Sequence, residues 1–227
     1  MSQNKIGIVL HGLVHESTKD IVSEYEKNFP DADILFFTWK SQNVKDISCR
    51  IIQIDYPSFL KKPDEYLNRH AFAINIQIFQ AREVLKHTNA HIVLRSRSDL
   101  FIHNKDIFEI FDKKCNEGKI LVPFIYEQNE FNIPDYFQIA HKSILETYWN
   151  SQDFHDDDPE YITQEEYTTK NYLKHFDETG DWGNIRKKYF FEADWEKICK
   201  CEWMKLTSDV NFQMKWRNRL YNDSLRN

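Results

Sequence analysis

Arg95, Arg97 and Asp99 stand at alternate positions in the segment IVLRSRSDLFI (residues 92–102). A short apolar run that ends beside turn-forming residues reads as a buried parallel strand, and in open α/β sheets ligands collect at the carboxyl ends of such strands. A carboxylate at that mouth can hold a divalent cation or a sugar hydroxyl, and a guanidinium beside it pairs with phosphate oxygens. The structural alternative is a strand end decorated with an ion pair.

Other groups stand at neighbouring turns. The first apolar run ends in His11-Gly12-Leu13, where nucleotides are often held, but one glycine is not a G-x-G-x-x-G fingerprint, and a G-x-x-x-x-G-K-[ST] phosphate loop is missing. Gly12 serves either a simple turn or a ligand contact. Thr38-Trp39 closes a second strand, where the indole either stacks on a base or sugar or fills core. Asn75 and Gln77 interrupt an apolar helix, and internal hydrogen bonding is the favoured reading for Gln77. Asp135 opens a late apolar segment and can deprotonate an attacking hydroxyl if it faces the same cleft as Asp99. Glu165 is a second candidate for that task, or a carboxylate placed to favour its helix N-terminus. Asp156, Asp157 and Asp158 form either a cation site or a solvated acidic loop. Without G-x-S-x-G and H-E-x-x-H, the Ser-His-Asp hydrolase and zincin readings fall away.

The elements that must position these groups follow from hydrophobic periodicity. Strands are predicted at 5–12, 33–39, 50–54, 90–97, 120–125 and 135–140. Helices are predicted from Ser17 or Thr18 to Phe29, over 66–86, over 104–114, over 143–149, from Thr163 onward with capping-box spacing, and over 209–221. Strand, helix and strand within the first forty residues make a Rossmann-like opening. The expected fold is therefore one α/β domain over 1–227, a mostly parallel central sheet flanked by helices with a less regular helical C-terminal part. Residues 6–125 form a nucleotide-binding half and 126–227 an acceptor-side half.

A chain of 227 residues is long enough to bury a core without staples. Its net charge of -6 argues against general nucleic-acid binding. No leader-like N-terminal segment and no membrane-length apolar run stands out, which points to the cytoplasm. The scattered Cys49, Cys115, Cys199 and Cys201 lack zinc-site spacing and read as reduced thiols.

Six motifs in register resemble the WavE lipopolysaccharide-synthesis family, bacterial glycosyltransferases of GT-A type. They are IVLHGLV (8–14), FPDADILFFTW (29–39), INIQI (74–78), LRSRSDLFI (94–102), IPDYFQIAHKSILETYW (133–149) and QEEYTTKNYL (164–173). The resemblance covers residues 6–175 and implies transfer of a sugar from a nucleotide-sugar donor to a surface glycan or a glycolipid acceptor, in lipopolysaccharide, O-antigen or capsule synthesis. It implies that Asp99 binds a divalent cation (Mn or Mg) bridging the donor diphosphate and that Arg97 contacts that diphosphate; Asp135 matches the family's aspartate before an aromatic pair and Glu165 the glutamate of its EQY helix, the two residues read above as candidate catalytic carboxylates. His11, Gly12, Thr38, Trp39, Asn75 and Arg95 complete the expected donor contacts. The chain departs from the family pattern at Ile76 (usually Arg), His11 (Gln), Phe37 (Ser) and Tyr136 (Trp), which bears on donor identity more than on reaction class. A basic C-terminal stretch, Lys215, Arg217 and Arg219 with Trp216 and Leu220, either touches anionic membrane at the inner face or packs on the domain. The rival to an enzyme is a nucleotide- or carbohydrate-binding protein of this fold without turnover.

Overall fold

The first apolar run is strand β1 (Ile6–His11), and it lies near the middle of a seven-stranded sheet. The structure, a computed structural model, describes residues 6–60, 69–115, 118–125, 130–151, 154 and 162–204. The acidic run Asp156–Asp158 and the basic stretch around Lys215, Arg217 and Arg219 lie outside the described residues.

After β1 come α1 (Thr18–Asn28), β2 (Asp33–Trp39), β3 (Arg50–Ile54), α2 (Arg69–Lys86) and β4 (Ile92–Arg97). These four strands pair in parallel in the order β3-β2-β1-β4. The chain thus moves outward from β1 in one direction and returns to its other side, so β1 and β4 flank a topological switch point. β5 (Leu100–Ile102), α3 (Ile107–Cys115), β6 (Ile120–Val122), β7 (Phe137–His141) and α4 (Lys142–Trp149) follow, then α5 (Gln164–Lys174), α6 (Trp182–Tyr189), β8 (Phe190–Glu192), a π-helical turn (Trp195–Cys199) and β9 (Cys201–Trp203). The sheet continues β4-β7-β6-β8, with β7 antiparallel to both neighbours and β6 parallel to β8. Strands from both halves of the chain therefore join one mostly parallel sheet flanked by helices.

Strand alternation splits the core into two layers. Val9, Leu35, Phe37 and Val93 face α2, α4, α5 and α6, while Ile8, Leu10, Phe36 and Leu94 face α1, α3 and the β5–β9 ribbon. Each fully buried Leu, Ile or Phe removes apolar surface worth about 1.5–3 kcal/mol. The apolar patch after Asp99 pairs with β9, outside the main sheet. Two expectations are corrected here. Ser17 caps α1 without a side-chain hydrogen bond; instead the Thr18 hydroxyl accepts from the His15 N–H (2.8 Å) and donates to the Ser98 carbonyl (3.0 Å). The strand expected at 120–125 ends at Val122. The Thr163 cap forms as expected, its hydroxyl accepting from the Glu166 N–H at 3.2 Å. Among the described residues no helix is long and apolar enough to cross a membrane.

Candidate functional site

His11, Trp39 and Arg97 end β1, β2 and β4. Alternation puts all three on the α2 side, each continuing a core row: Val9 before His11, Leu35 and Phe37 before Trp39, Val93 before Arg97. They line the floor of a cleft of about 560 Å³ at the carboxyl edge of the sheet, beside the switch point. One wall is α2, through Phe72, Ala73, Ile76, Gln77 and Gln80, a single helical stripe. The rim is the turn Gly12–His15 after β1 and Ser98 and Asp99 after β4, with Tyr56 and Gln164 completing the enclosure. Trp39 stacks on Phe79 at 6.1 Å and leans on Tyr56 at 5.4 Å, so one half of the cleft is aromatic.

The two rim turns are knitted together. Ser98 donates its N–H to the His11 carbonyl (3.2 Å) and its hydroxyl to the Leu13 carbonyl (2.6 Å). Gly12 sits at φ 132°, and a Cβ there would meet the Ser98 hydroxyl at 2.9 Å. Only glycine suits both demands.

Arg97 organises the polar half. Its Nε and Nη2 donate to the two Asp99 carboxylate oxygens at 2.9 and 3.1 Å, a bidentate fork. Its Nη1 lies 4.0 Å from an Asp135 oxygen, and the guanidinium rests over the Trp203 ring at 5.3 Å. Burial disfavours its charge, but the Asp99 hydrogen bonds and the Asp135 and Asp99 charges outweigh that and raise its pKa.

Asp135 precedes β7. Because that strand runs backwards, its entrance meets the exit of β4, with Phe137 opposite Ser96. Asp135 is buried behind the cleft wall, where Gln77 and Gln164 (2.9 Å) donate to it. Burial alone would raise its carboxyl, but Arg97, Arg95 and these two amides hold it below the usual carboxylate range. Glu165 stands half-buried in the first turn of α5, next to the cleft-lining Gln164. Its burial and the nearby Asp135 charge push it up to about 7.

His11 is 4% exposed. Burial, Arg95 and Arg97 drive its pKa well below the ordinary value, so the ring is neutral. Nδ1 lies 3.5 Å from Oε1 of the Gln80 side chain, and Nε2 has no hydrogen-bond partner among the described residues.

Six of the residues singled out from sequence, His11, Gly12, Trp39, Gln77, Arg97 and Asp99, line one cleft. Five others do not line it: Asp135 and Glu165, placed above, and Thr38, Asn75 and Arg95. The Thr38 hydroxyl is spent on the Gly12 carbonyl at 2.7 Å, fixing the turn from below. Asn75 points away from the cleft and clamps Phe154, accepting from its N–H (2.7 Å) and donating to its carbonyl (3.0 Å). Arg95 is fully buried under the floor, donating to the Asp135 carbonyl and lying 4.3 Å above the Trp149 ring. Burial lowers its pKa to about 10. The cleft residues that sequence reasoning passed over include Tyr56, Phe72, Gln80 and Gln164. The stripe Phe72, Ile76, Gln80 at four-residue spacing was the available signal.

The donor set does not fit the divalent cation expected at Asp99. Asp99 is the one carboxylate lining the cleft among the described residues, and both its oxygens accept from Arg97. Mn²⁺ or Mg²⁺ needs several oxygen ligands, and no group of three or more His, Cys, Asp and Glu among the described residues is placed to hold a metal ion.

No protein-family model matches the sequence, and no curated protein matches it. In shape the chain is similar to 4-diphosphocytidyl-2C-methyl-D-erythritolsynthase from Anaerococcus prevotii, with a TM-score of 0.51 at 9% identity over 95% of this chain and 96% of that one. The bifunctional IspDF from Campylobacter jejuni is similar at TM-score 0.51 and 7% identity over 91% of this chain, which spans 53% of that protein. A glycosyltransferase involved in glycosylation of the major capsid of PBCV-1 has a TM-score of 0.45 and 11% identity over 84% of this chain and 82% of that one. The likeness to the first two is one of fold alone, and the WavE family gains no separate support.

Proposed function

We propose that the chain is a transferase that binds a nucleoside diphosphate sugar in the β1–β4 cleft and passes the sugar to a hydroxyl of a glycan or glycolipid acceptor. The observation that carries this reading is the division of one cleft into an aromatic half, around Trp39 and Tyr56, and a polar half built on Arg97. A base or ribose suits the first and a diphosphate the second. The site lies where open α/β sheets hold nucleotides, and the fold likeness to a diphosphocytidyl-compound synthase agrees. The choice of a surface-glycan acceptor rests on the motif resemblance.

In the reaction the acceptor hydroxyl oxygen attacks the anomeric carbon. The bond from that carbon to the diphosphate oxygen breaks, and the departing nucleoside diphosphate keeps the electron pair. Arg97 stabilises the charge that develops there. Asp135, saturated with donors and held acidic, is a poor base. Glu165 is assigned to take the hydroxyl proton when configuration inverts; a retaining reaction requires no such base. Nucleotidyl transfer, the other chemistry suggested by the fold, places more negative charge in the site. Among the described cleft residues Arg97 is the only lysine or arginine, which favours sugar transfer.

A thermal-shift screen with UDP, GDP, ADP and CMP tests the reading. One or more should stabilise the protein, with the effect lost in Arg97→Gln. Slow hydrolysis of the matching nucleotide sugar then separates an enzyme from a binding protein. Absence of stabilisation by every nucleotide overturns the assignment.

A further inference from the structure

We propose that Arg97, clamped by Asp99, takes the place of a divalent cation, so that the diphosphate group is bound without metal. This deepens the donor reading above and rests on it.

A diphosphate brings two or more negative charges into the cleft, and something positive must meet them. Metal-using sites gather several oxygen ligands around one ion. Here the only cleft-lining carboxylate among the described residues is already committed to a guanidinium through both oxygens. For Asp99 to ligate Mn²⁺, the fork would have to open and leave a dication next to Arg97. Asp135 is no substitute, because Gln77 and Gln164 hold it and it sits behind the wall.

Arg97 is fixed from three sides: by the Asp99 carboxylate in its own plane, by Asp135 at 4.0 Å, and by the Trp203 ring across its face. Its side chain stays 24% exposed. A guanidinium has five N–H donors; the fork uses two, which leaves three for other acceptors such as phosphate oxygens. Asp99 is thereby a positioning residue rather than a metal ligand. The Met204 N–H donates to the Asp99 carbonyl at 2.8 Å and helps hold the turn that carries it.

Titration calorimetry with the nucleoside diphosphate that stabilises the protein most, run in EDTA and again in MnCl₂, tests the proposal. Affinity should differ by less than about threefold between the two buffers. Arg97→Gln should weaken binding at least tenfold in both. Arg97→Lys keeps the charge and a side chain of similar length, so it controls for folding, checked by circular dichroism. One ammonium cannot span Asp99 and a phosphate as a fork does, so it too should bind at least tenfold more weakly. Tight binding that requires Mn²⁺ and is lost in Asp99→Asn overturns the metal-free site but leaves the donor reading intact. No binding of any nucleoside diphosphate in either buffer overturns both.

Discussion

Glu165 and Arg95 show how environment, more than residue type, assigns roles around this cleft. Glu165 titrates at about 7 because it is buried beside another carboxylate, and a base works only when deprotonated. If inversion is the outcome, kcat/KM should climb with pH to a plateau reached above pH 7. Glu165→Gln should lower the plateau by roughly 10²–10⁴-fold and flatten the rise; an unchanged profile removes Glu165 from the chemistry. Arg95, expected at the diphosphate, is one pleat deeper than Arg97, about 6.6 Å along the strand, and that difference turns a ligand contact into a buried strut. Nε and Nη2 of Arg95 have no partners among the described residues, while its Nη1 and ring contact tie Asp135 to Trp149. Arg95→Ala should cost roughly 3–5 kcal/mol in urea unfolding. Arg95→Met fills the space and should cost less while leaving nucleotide affinity within about threefold. A well-folded Arg95→Met protein without affinity would return Arg95 to the binding set.

Between elements, the clearest joint outside the cleft is His103, which follows β5. Its Nδ1 meets Glu24 of α1 at 2.7 Å and its Nε2 lies 3.6 Å from Glu202 of β9. Burial lowers its pKa, but Glu202 and Glu24 outweigh that and raise it to about 9, from an ordinary value of 6.5. The folded state therefore holds the proton more tightly than the unfolded one. The stability so gained is fully present below pH 6.5 and fades as pH rises through 9. Melting temperature should fall over that window in the native protein, and His103→Gln should melt lower at pH 6 with a flatter alkaline response; an equal slope in both rejects the joint. The elements themselves were largely legible. Apolar runs marked β1 to β4, and the three-and-four spacing of Ile21, Val22, Tyr25 and Phe29 marked α1. The pairing of β5 with β9 was not, since about a hundred residues separate the partners and three-residue strands carry little pattern. The fate of Asn75 was readable from geometry: two residues from Gln77 is about 200° around the helix, so only one of the pair can face the cleft.

For the whole molecule, the sheet hides most of the reactive sulfur. All four cysteines are free thiols; Cys115, Cys199 and Cys201 are buried, and burial pushes Cys49 and Cys115 up to about 12. A thiol reacts as the thiolate, so Ellman's reagent should modify the native protein slowly and all four groups promptly in urea. Fast reaction of the folded protein contradicts this packing. What the sequence left open at this scale was direction. Local alternation makes a strand but does not say which way it runs, since direction is set by partners distant in the chain. The reversal of β7 is what puts Asp135 behind the cleft wall, 4.0 Å from Arg97, and through the bond from Gln164 brings the start of α5 to the cleft. That reversal has an engineering consequence. The cleft is enclosed partly by residues leaving parallel strands and partly by Gln164, which a residue entering an opposed strand holds in place, on separate stretches of chain. On the donor reading proposed above, redesign around residues 162–166 should recast what the acceptor meets and leave the turns at 12–15 and 97–99, on other stretches of chain, untouched.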